Sequence, residues 1–552
     1  MPADKTIDLE TLRVVHGAAQ SGDFAGAAQL AAQALDRGFE HPFLYNIVAL
    51  KMEQDGNALE AANLLSRAAE LAPEDKPVRN ALGWCLLRLD LPVAALVQFT
   101  ALLALDSTIP FAHTGHGAAL LALGAHIDAE ASYRRAVELD PNQGVALAGL
   151  AHVACRRGRY AEARGWAERA LDKVPDFPDA LMSLVAADLG EGIPQRAEQR
   201  LLALLSSKRV DPLDRAYAYG LLGDVYDSRD RVREAFEAYT TCNNALHTIH
   251  ADRFGNGQSA FEYVKSITEY FAHSPVEAWR PRPNSIKDKI GPQQHVFLLG
   301  FPRSGTTLLE VILEGHPDVV SVEEHELLVD SINEFMRGPE GFDSLSSASE
   351  EMLQPLRQSY WRLAADAGVN TRGKIFVDKH PLNTLKLPLI ARLFPTAKIV
   401  FASRDPRDVV LSCFRNRFRM SAPFYELLSF DGAARYYDAV MRFADLMAGV
   451  LALDTCLVRH EDLVNNLSHE LERICTFLRI NRVPEMEKFS ERTQQRAALT
   501  PSTAQLARGL DASGIGRWRR YQKQLSPVLE ILEPWVKRFG YSSQAISLPA
   551  KN

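Results

Sequence analysis

The sequence predicts two architectures in one chain, an all-α repeat array followed by an α/β domain built on a parallel sheet. Three observations carry this. Small residues recur every 34 positions through the first half; from His295 short apolar runs alternate with helical stretches; and the first of those runs ends in GFPRSGTT, a glycine-bounded turn that enters a helix. At 552 residues the chain has room for more than one domain. Its 47% apolar and 24% charged residues are an ordinary globular balance.

The array comes first. Alanine stands at Ala27, Ala61, Ala95, Ala129, Ala163 and Ala197, each 34 residues from the last. Five residues ahead of these lie Gly22, Gly56, Asp90, Gly124, Gly158 and Gly192. A second small position gives Ala34, Ala68, Ala136 and Ala170, with Leu102 and Leu204 in the remaining copies, and Pro73, Pro141 and Pro175 close three repeats. Two short amphipathic helices pack closely where alanine admits the neighbouring backbone, glycine makes the tight turn between them, and proline stops the second helix. The pattern resembles the tetratricopeptide repeat, most clearly in GHGAALLALGAHIDAEASYRRAVELDP and GLAHVACRRGRYAEARGWAERALDKVP. A seventh copy, LLGDVYDSRDRVREAFEAY with Ala235, is offset by four residues. The resemblance implies a solenoid over 1–250 whose concave face takes a peptide or another protein.

After His247 the period fades. FEYVKSITEYF reads as a helix, and HSPVEAWRPRPNSIKDKIGPQQ is rich in proline and polar residues, so 251–294 is expected to be a helical and Pro-rich connector. From 295 to about 545, HVFLLGF, KIFVDK, AKIVFASRD and CLVRHEDL read as buried strands separated by helices. That alternation implies a parallel sheet covered on both faces, which binds its ligands at the carboxyl ends of the strands.

The unusual residues fall at those ends. Gly300 to Gly305 can turn tightly enough to aim backbone N–H groups at an oxyanion, and the helix that follows adds its positive N-terminal end. Arg303 puts a permanent charge in the loop, while Ser304, Thr306 and Thr307 offer hydroxyls. The lysine of a Walker A loop is missing, because Thr306 stands in its place. The loop therefore suits an anion other than a magnesium-bound triphosphate.

GFPRSGTTLLEVILEGHPDVVSVEEHELL resembles the 5′-phosphosulfate loop of sulfotransferases, the tyrosylprotein branch above all. The similarity runs on through DKHPLNTLKLPLIARLFPTAKIVFASRDPRDVVLSCFRN and more weakly to GIGRWRRY. It implies 3′-phosphoadenosine 5′-phosphosulfate (PAPS) as sulfuryl donor, an acceptor hydroxyl such as a peptide tyrosine, and no metal. In that family the base is the second of two adjacent glutamates, twenty-one residues past the loop arginine, which is Glu324 here. A carboxylate near ~4.3 is a poor base for a phenol near ~10. Either burial and Glu323 raise Glu324, or the proton moves late. Lys379 matches the lysine that stabilises the leaving oxygen, with His380 after it and His325 after Glu324 as lesser candidates for proton handling. Arg404 and Ser412 match the 3′-phosphate pair, arginine suiting phosphate through its planar fork. Asn416 stands where the family often has a further basic residue. Nearby Arg407, Arg415 and Arg417 read as a solvated helix face. Trp518 has two readings, a cofactor contact within GRW or a core residue, and His460 likewise either stacks on adenine or is structural.

A net charge of −7 argues against broad nucleic-acid binding. The opening MPADKTIDLE lacks a basic stretch before an apolar core, and the longest apolar run, from Val93, contains Gln98 and is too short for a bilayer, so neither leader nor membrane span is expected. Six scattered cysteines without a C-x-x-C pair fit reduced thiols in a cytoplasmic protein. Two rivals to the transferase remain: a repeat scaffold with a non-catalytic nucleotide-binding domain, and a small-molecule P-loop kinase, against which the missing lysine counts.

Overall fold

A computed structural model describes residues 2–208, 210–279, 291–495, 509–510 and 512–542. It divides into two compact units, Met1–Arg200 and Leu201–Asn552.

The first unit is a run of antiparallel helix pairs, among them Ala58–Leu71 after Pro42–Gln54 and Tyr160–Lys173 after Gly144–Arg156. Every periodic alanine, from Ala27 to Ala197, is 0% exposed, as close backbone packing requires. The turn position five residues earlier is left-handed in each copy, and Asp90 adopts the same conformation (φ 58°) as the glycines around it. Aspartate is among the few non-glycine residues that tolerate this region. Helices end at Leu71, Leu139 and Lys173, two residues before the prolines that read as stops.

The seventh repeat, helices Pro212–Ser228 and Val232–Ile249, keeps the form, with Asp230 left-handed (φ 60°) five residues before the buried Ala235. It belongs to the second unit, as does the stretch expected to be a connector. The helix Ala260–His273 starts with a capping box between Ser259 and Glu262. Its Val264, Ile267 and Phe271 pack with Phe297, Phe335 and Trp279 in the main core. The helix Ala260–His273 and Trp279 are thus core rather than linker, because the apolar face at helical spacing is buried in that cluster, whereas 251–259 are mostly exposed. The Pro-rich part of that stretch, 280–290, and residues 543–545 lie outside the described residues.

The sheet has five parallel strands, Gln294–Gly300 (β1), Val319–Glu323 (β2), Ile375–Lys379 (β3), Lys398–Ser403 (β4) and Asp454–Arg459 (β5), in the order β2-β3-β1-β4-β5. Alternation along β1 sends Phe297 and Leu299 into one core and Val296 and Leu298 into the other, so both faces are covered. β2 is absent from the strands read from sequence; it is a short edge strand whose Ser321 and Glu323 break the apolar run. Register pairs Leu298 and Glu323 with Lys379, and Ser403 with Arg459, which gathers the ends of all five strands at one edge.

Candidate active site

The loop from Phe301 to Gly305 turns off the central strand. Thr384 locks its entrance: its hydroxyl donates to the Gly300 carbonyl at 2.8 Å and accepts from the Gly300 N–H at 3.2 Å. Arg303 (φ 72°) and Gly305 (φ 95°) are both left-handed, which curls the backbone into the helix Thr306–Leu313. Gly305 is required here, since a Cβ would meet the His460 ring at 2.7 Å. Ser304, Thr306 and Thr307 are buried at the helix start, where no side chain caps the helix.

Two further arginine-bearing segments close on the loop. Arg303 donates through Nε to the Ser412 hydroxyl at 3.0 Å, and Arg404 donates to the Arg303 carbonyl at 3.3 Å and to the Gly514 carbonyl. The three residues expected to grip phosphate groups therefore converge. Burial, then the charge of Arg404, pushes the Arg303 guanidinium down to about 10. Burial, with Arg404 and Arg303 adding to it, pushes His460 down to about 3, so its ring is neutral. The buried Arg404 Nε and His460 Nδ1 have no hydrogen-bond partner among the described residues. This buried cationic cluster with spare polar atoms has the charge and the donors to hold an anion. Asn416 turns away, donating to the Ser412 carbonyl at 2.6 Å.

Across the sheet edge lies the Glu324–Lys379 ion pair. The Lys379 ammonium, 0% exposed, is 2.9 Å from Glu324, 3.0 Å from Glu323 and 3.6 Å from Glu310. Burial alone would depress this ammonium, but the three carboxylates raise it above its ordinary value. Glu324 is held in a left-handed turn (φ 50°) by its own N–H, which donates to the Lys379 carbonyl at 2.8 Å. A non-glycine residue in this region is uncommon and carries local backbone strain. Burial works to raise Glu324, yet Lys379, His380 and Arg303 bring it below the usual glutamate value. Of the two expectations for this group, a raised pKa is thus corrected, because a lysine sits on the carboxylate. His380 is pushed down to about 4, by burial first and Lys386 next, and His325 is exposed, its Nδ1 2.9 Å from the Glu323 carbonyl oxygen.

Trp518 is 2% exposed, with the Arg407 guanidinium 3.8 Å from its ring centre. It has little surface left for a ligand and packs as a core residue. Its segment is pinned by Asp408, which accepts from the Gly516 and Trp518 N–H groups at 2.6 and 2.8 Å. Arg407, Arg415 and Arg417 do not form a solvated face: Arg407 pairs with Asp405 at 2.7 Å, and the other two meet aspartates of the seventh repeat. Sequence reasoning missed Glu310. The signal was there, a lone acid inside the apolar run LLEVIL.

Residues 295–485 match the sulfotransferase family, and residues 120–187 match the tetratricopeptide repeat. The second half of the chain is thus similar to sulfotransferases over that stretch, and the first half carries tetratricopeptide repeats. An uncharacterized protein of Aquifex aeolicus is 28% identical over 423 residues, 73% of this chain and 52% of that one, so the chain spans about half of that relative's length. Protein-tyrosine sulfotransferase A of Caenorhabditis elegans is 22% identical over 315 residues, 55% of this chain and 80% of its own length. Nodulation protein NoeE of Sinorhizobium fredii is 30% identical over 208 residues, 32% of this chain and 48% of its own. Among solved structures, a thermophilic tetratricopeptide protein of Thermus thermophilus aligns at 19% identity and a TM-score of 0.30, covering 33% of this chain and 98% of that one. No helix among the described residues is long and apolar enough to cross a membrane.

Proposed function

We propose that the second unit transfers a sulfuryl group from PAPS to an acceptor hydroxyl, with a peptide tyrosine the leading acceptor. One observation carries the reading: the Glu324–Lys379 pair and the Arg303–Ser412–Arg404 cluster stand at the same sheet edge, close enough that Arg303 helps to lower Glu324. The loop N–H groups with Ser304, Thr306 and Thr307 would hold the 5′-phosphosulfate, and Arg404 with Ser412 the 3′-phosphate. PAPS supplies the sulfuryl group. The acceptor oxygen attacks sulfur in line, the bond from sulfur to the 5′-phosphate oxygen breaks, and the acceptor proton passes to Glu324. Charge left on the phosphate is met by Lys379 and Arg303.

The repeats, on this reading, raise the effective concentration of an acceptor peptide or protein. The compartment would be the cytoplasm, where six buried or half-buried unbridged cysteines are ordinary. The test is calorimetric titration with adenosine 3′,5′-bisphosphate, ADP and ATP–Mg, followed by transfer of labelled sulfate to tyrosine and phenylalanine versions of one peptide. Bisphosphate alone should bind, more weakly by about tenfold or more in Arg404→Ala. Transfer should collapse in Glu324→Gln. Preference for ATP–Mg would overturn the reading, and labelling of both peptides would overturn the tyrosine.

A further inference from the structure

The first helix of the seventh repeat ends on a buried carboxylate with an unusual number of partners. Asp227 receives Arg415 at 2.8 Å, Arg520 at 3.2 Å, the Tyr521 hydroxyl at 2.7 Å and a close contact from Arg517. One turn earlier, Asp224 receives Arg417 at 2.6 Å and the Tyr239 hydroxyl at 2.8 Å. Asn243 of the same hairpin donates to the Phe414 carbonyl at 2.9 Å, and Phe236 stacks on Phe414 at 5.5 Å between ring centres. These contacts fall on two segments. Arg415 ends the helix Pro406–Arg415, which carries Ser412. Arg517, Arg520 and Tyr521 follow Gly514, whose carbonyl holds Arg404.

We propose that Asp227 is a positioning residue of the nucleotide site: one repeat carboxylate ties together the segment bearing Ser412 and the segment that orients Arg404. The inference rests on the nucleotide reading above. A carboxylate has about four lone-pair positions, enough to fix several donors at once. In this buried site, loss of its charge leaves Arg517 without its anion and Arg415 with only Asp224, 3.8 Å away. Arg415 also lies close enough to Arg303 to contribute to its lowered pKa, so a released Arg415 can swing towards Ser412 and distort the pocket. Asp227 touches no reacting atom; it acts through the residues that do.

The test uses the full chain with Asp227→Asn, which keeps the shape and loses the charge, and Asp227→Glu as the conservative variant. Two ligands are titrated, adenosine 3′,5′-bisphosphate and adenosine 5′-monophosphate, which lacks the 3′-phosphate. Amide hydrogen exchange is followed without ligand. The expected result is a loss of about tenfold or more for the bisphosphate alone, partial recovery with glutamate, and faster exchange confined to 406–416 and 512–521. An equal loss for both nucleotides would mean general destabilisation and overturn the positioning role. Unchanged bisphosphate affinity would overturn it directly. If the wild type shows no preference for the bisphosphate while exchange still responds to Asp227→Asn, the nucleotide reading itself fails and takes this role with it, although the tie between the segments stands.

Discussion

Replacing Lys379 by methionine keeps much of the side-chain volume and removes one charge from a nest of three carboxylates. At an effective dielectric constant of about 20, a unit pair near 3 Å is worth about 5 kcal/mol before desolvation. Two of the Lys379 contacts lie at 2.9 and 3.0 Å and the third at 3.6 Å. Solvation of Glu324, 44% exposed, offsets much of its share; Glu310 is fully buried and keeps its own. Experience with broken buried pairs sets the net loss at about 3–5 kcal/mol. The sign with pH follows from linkage. Without the lysine, burial is the largest influence left on the Glu324 carboxyl and acts to raise it, so the deficit is complete at neutral pH and narrows as this carboxylate takes up a proton on the acid side. Urea unfolding followed by tryptophan fluorescence is the assay, since Trp279, Trp361, Trp518 and Trp535 all lie in the second unit. A variant as stable as wild type at pH 7.5, or a deficit that does not narrow at pH 5, would refute the nest.

Asp378, next in sequence and fully buried, is pushed up to about 7 by burial, while its unfolded value is near 3.8. Between those values the folded state holds the proton that the unfolded chain has lost, so wild type should lose stability as pH rises. Asp378→Asn should remove that slope, and its stability relative to wild type should improve by about 2–3 kcal/mol from pH 5 to pH 7, measured by urea midpoints. Gly305→Ala should abolish bisphosphate binding through the His460 clash, whereas Gly257→Ala, equally left-handed but in open space, should cost stability alone, about 1–2 kcal/mol by thermal unfolding. The lowered Glu324 carboxyl should leave the pH–rate profile flat, as far as this group is concerned, between pH 6 and 8; an acid limb near 7 in wild type that moves in Glu324→Asp would contradict the lowered carboxyl.

The repeats were legible because each one meets its structural demand locally and again 34 residues later. Asp90 shows how much that period carries: a non-glycine residue at a glycine position adopts the same left-handed turn. The boundary was not legible. The seventh hairpin reads as one more repeat, and nothing within it announces that Asp227 will meet Arg517, 290 residues on. Charges that look like a solvated helix face in one dimension, Arg415 and Arg417, acquire their partners only through such long-range packing. β2 escaped notice because its polar residues break the apolar run, and their partners, Glu310 and Glu314 for Ser321 and Lys379 for Glu323, are met only in the fold.

Within the site, residue identities were readable and their mutual influence was not. Glu324 was expected to need a raised pKa or a late proton, and the geometry removes the first option: the lysine that would steady the leaving group rests 2.9 Å from the base. The two proposed roles are therefore coupled. In the proposed reaction, negative charge growing on the departing phosphate oxygen would draw Lys379 towards it and weaken its hold on Glu324. The acceptor hydroxyl would become more acidic over the same interval as its bond to sulfur forms. A carboxylate with a low resting pKa would then gain proton affinity when the acceptor is readiest to release its proton, so a weak base would suffice. Glu310 and Glu323, which surround the lysine at 3.6 and 3.0 Å, would draw it back once product has left.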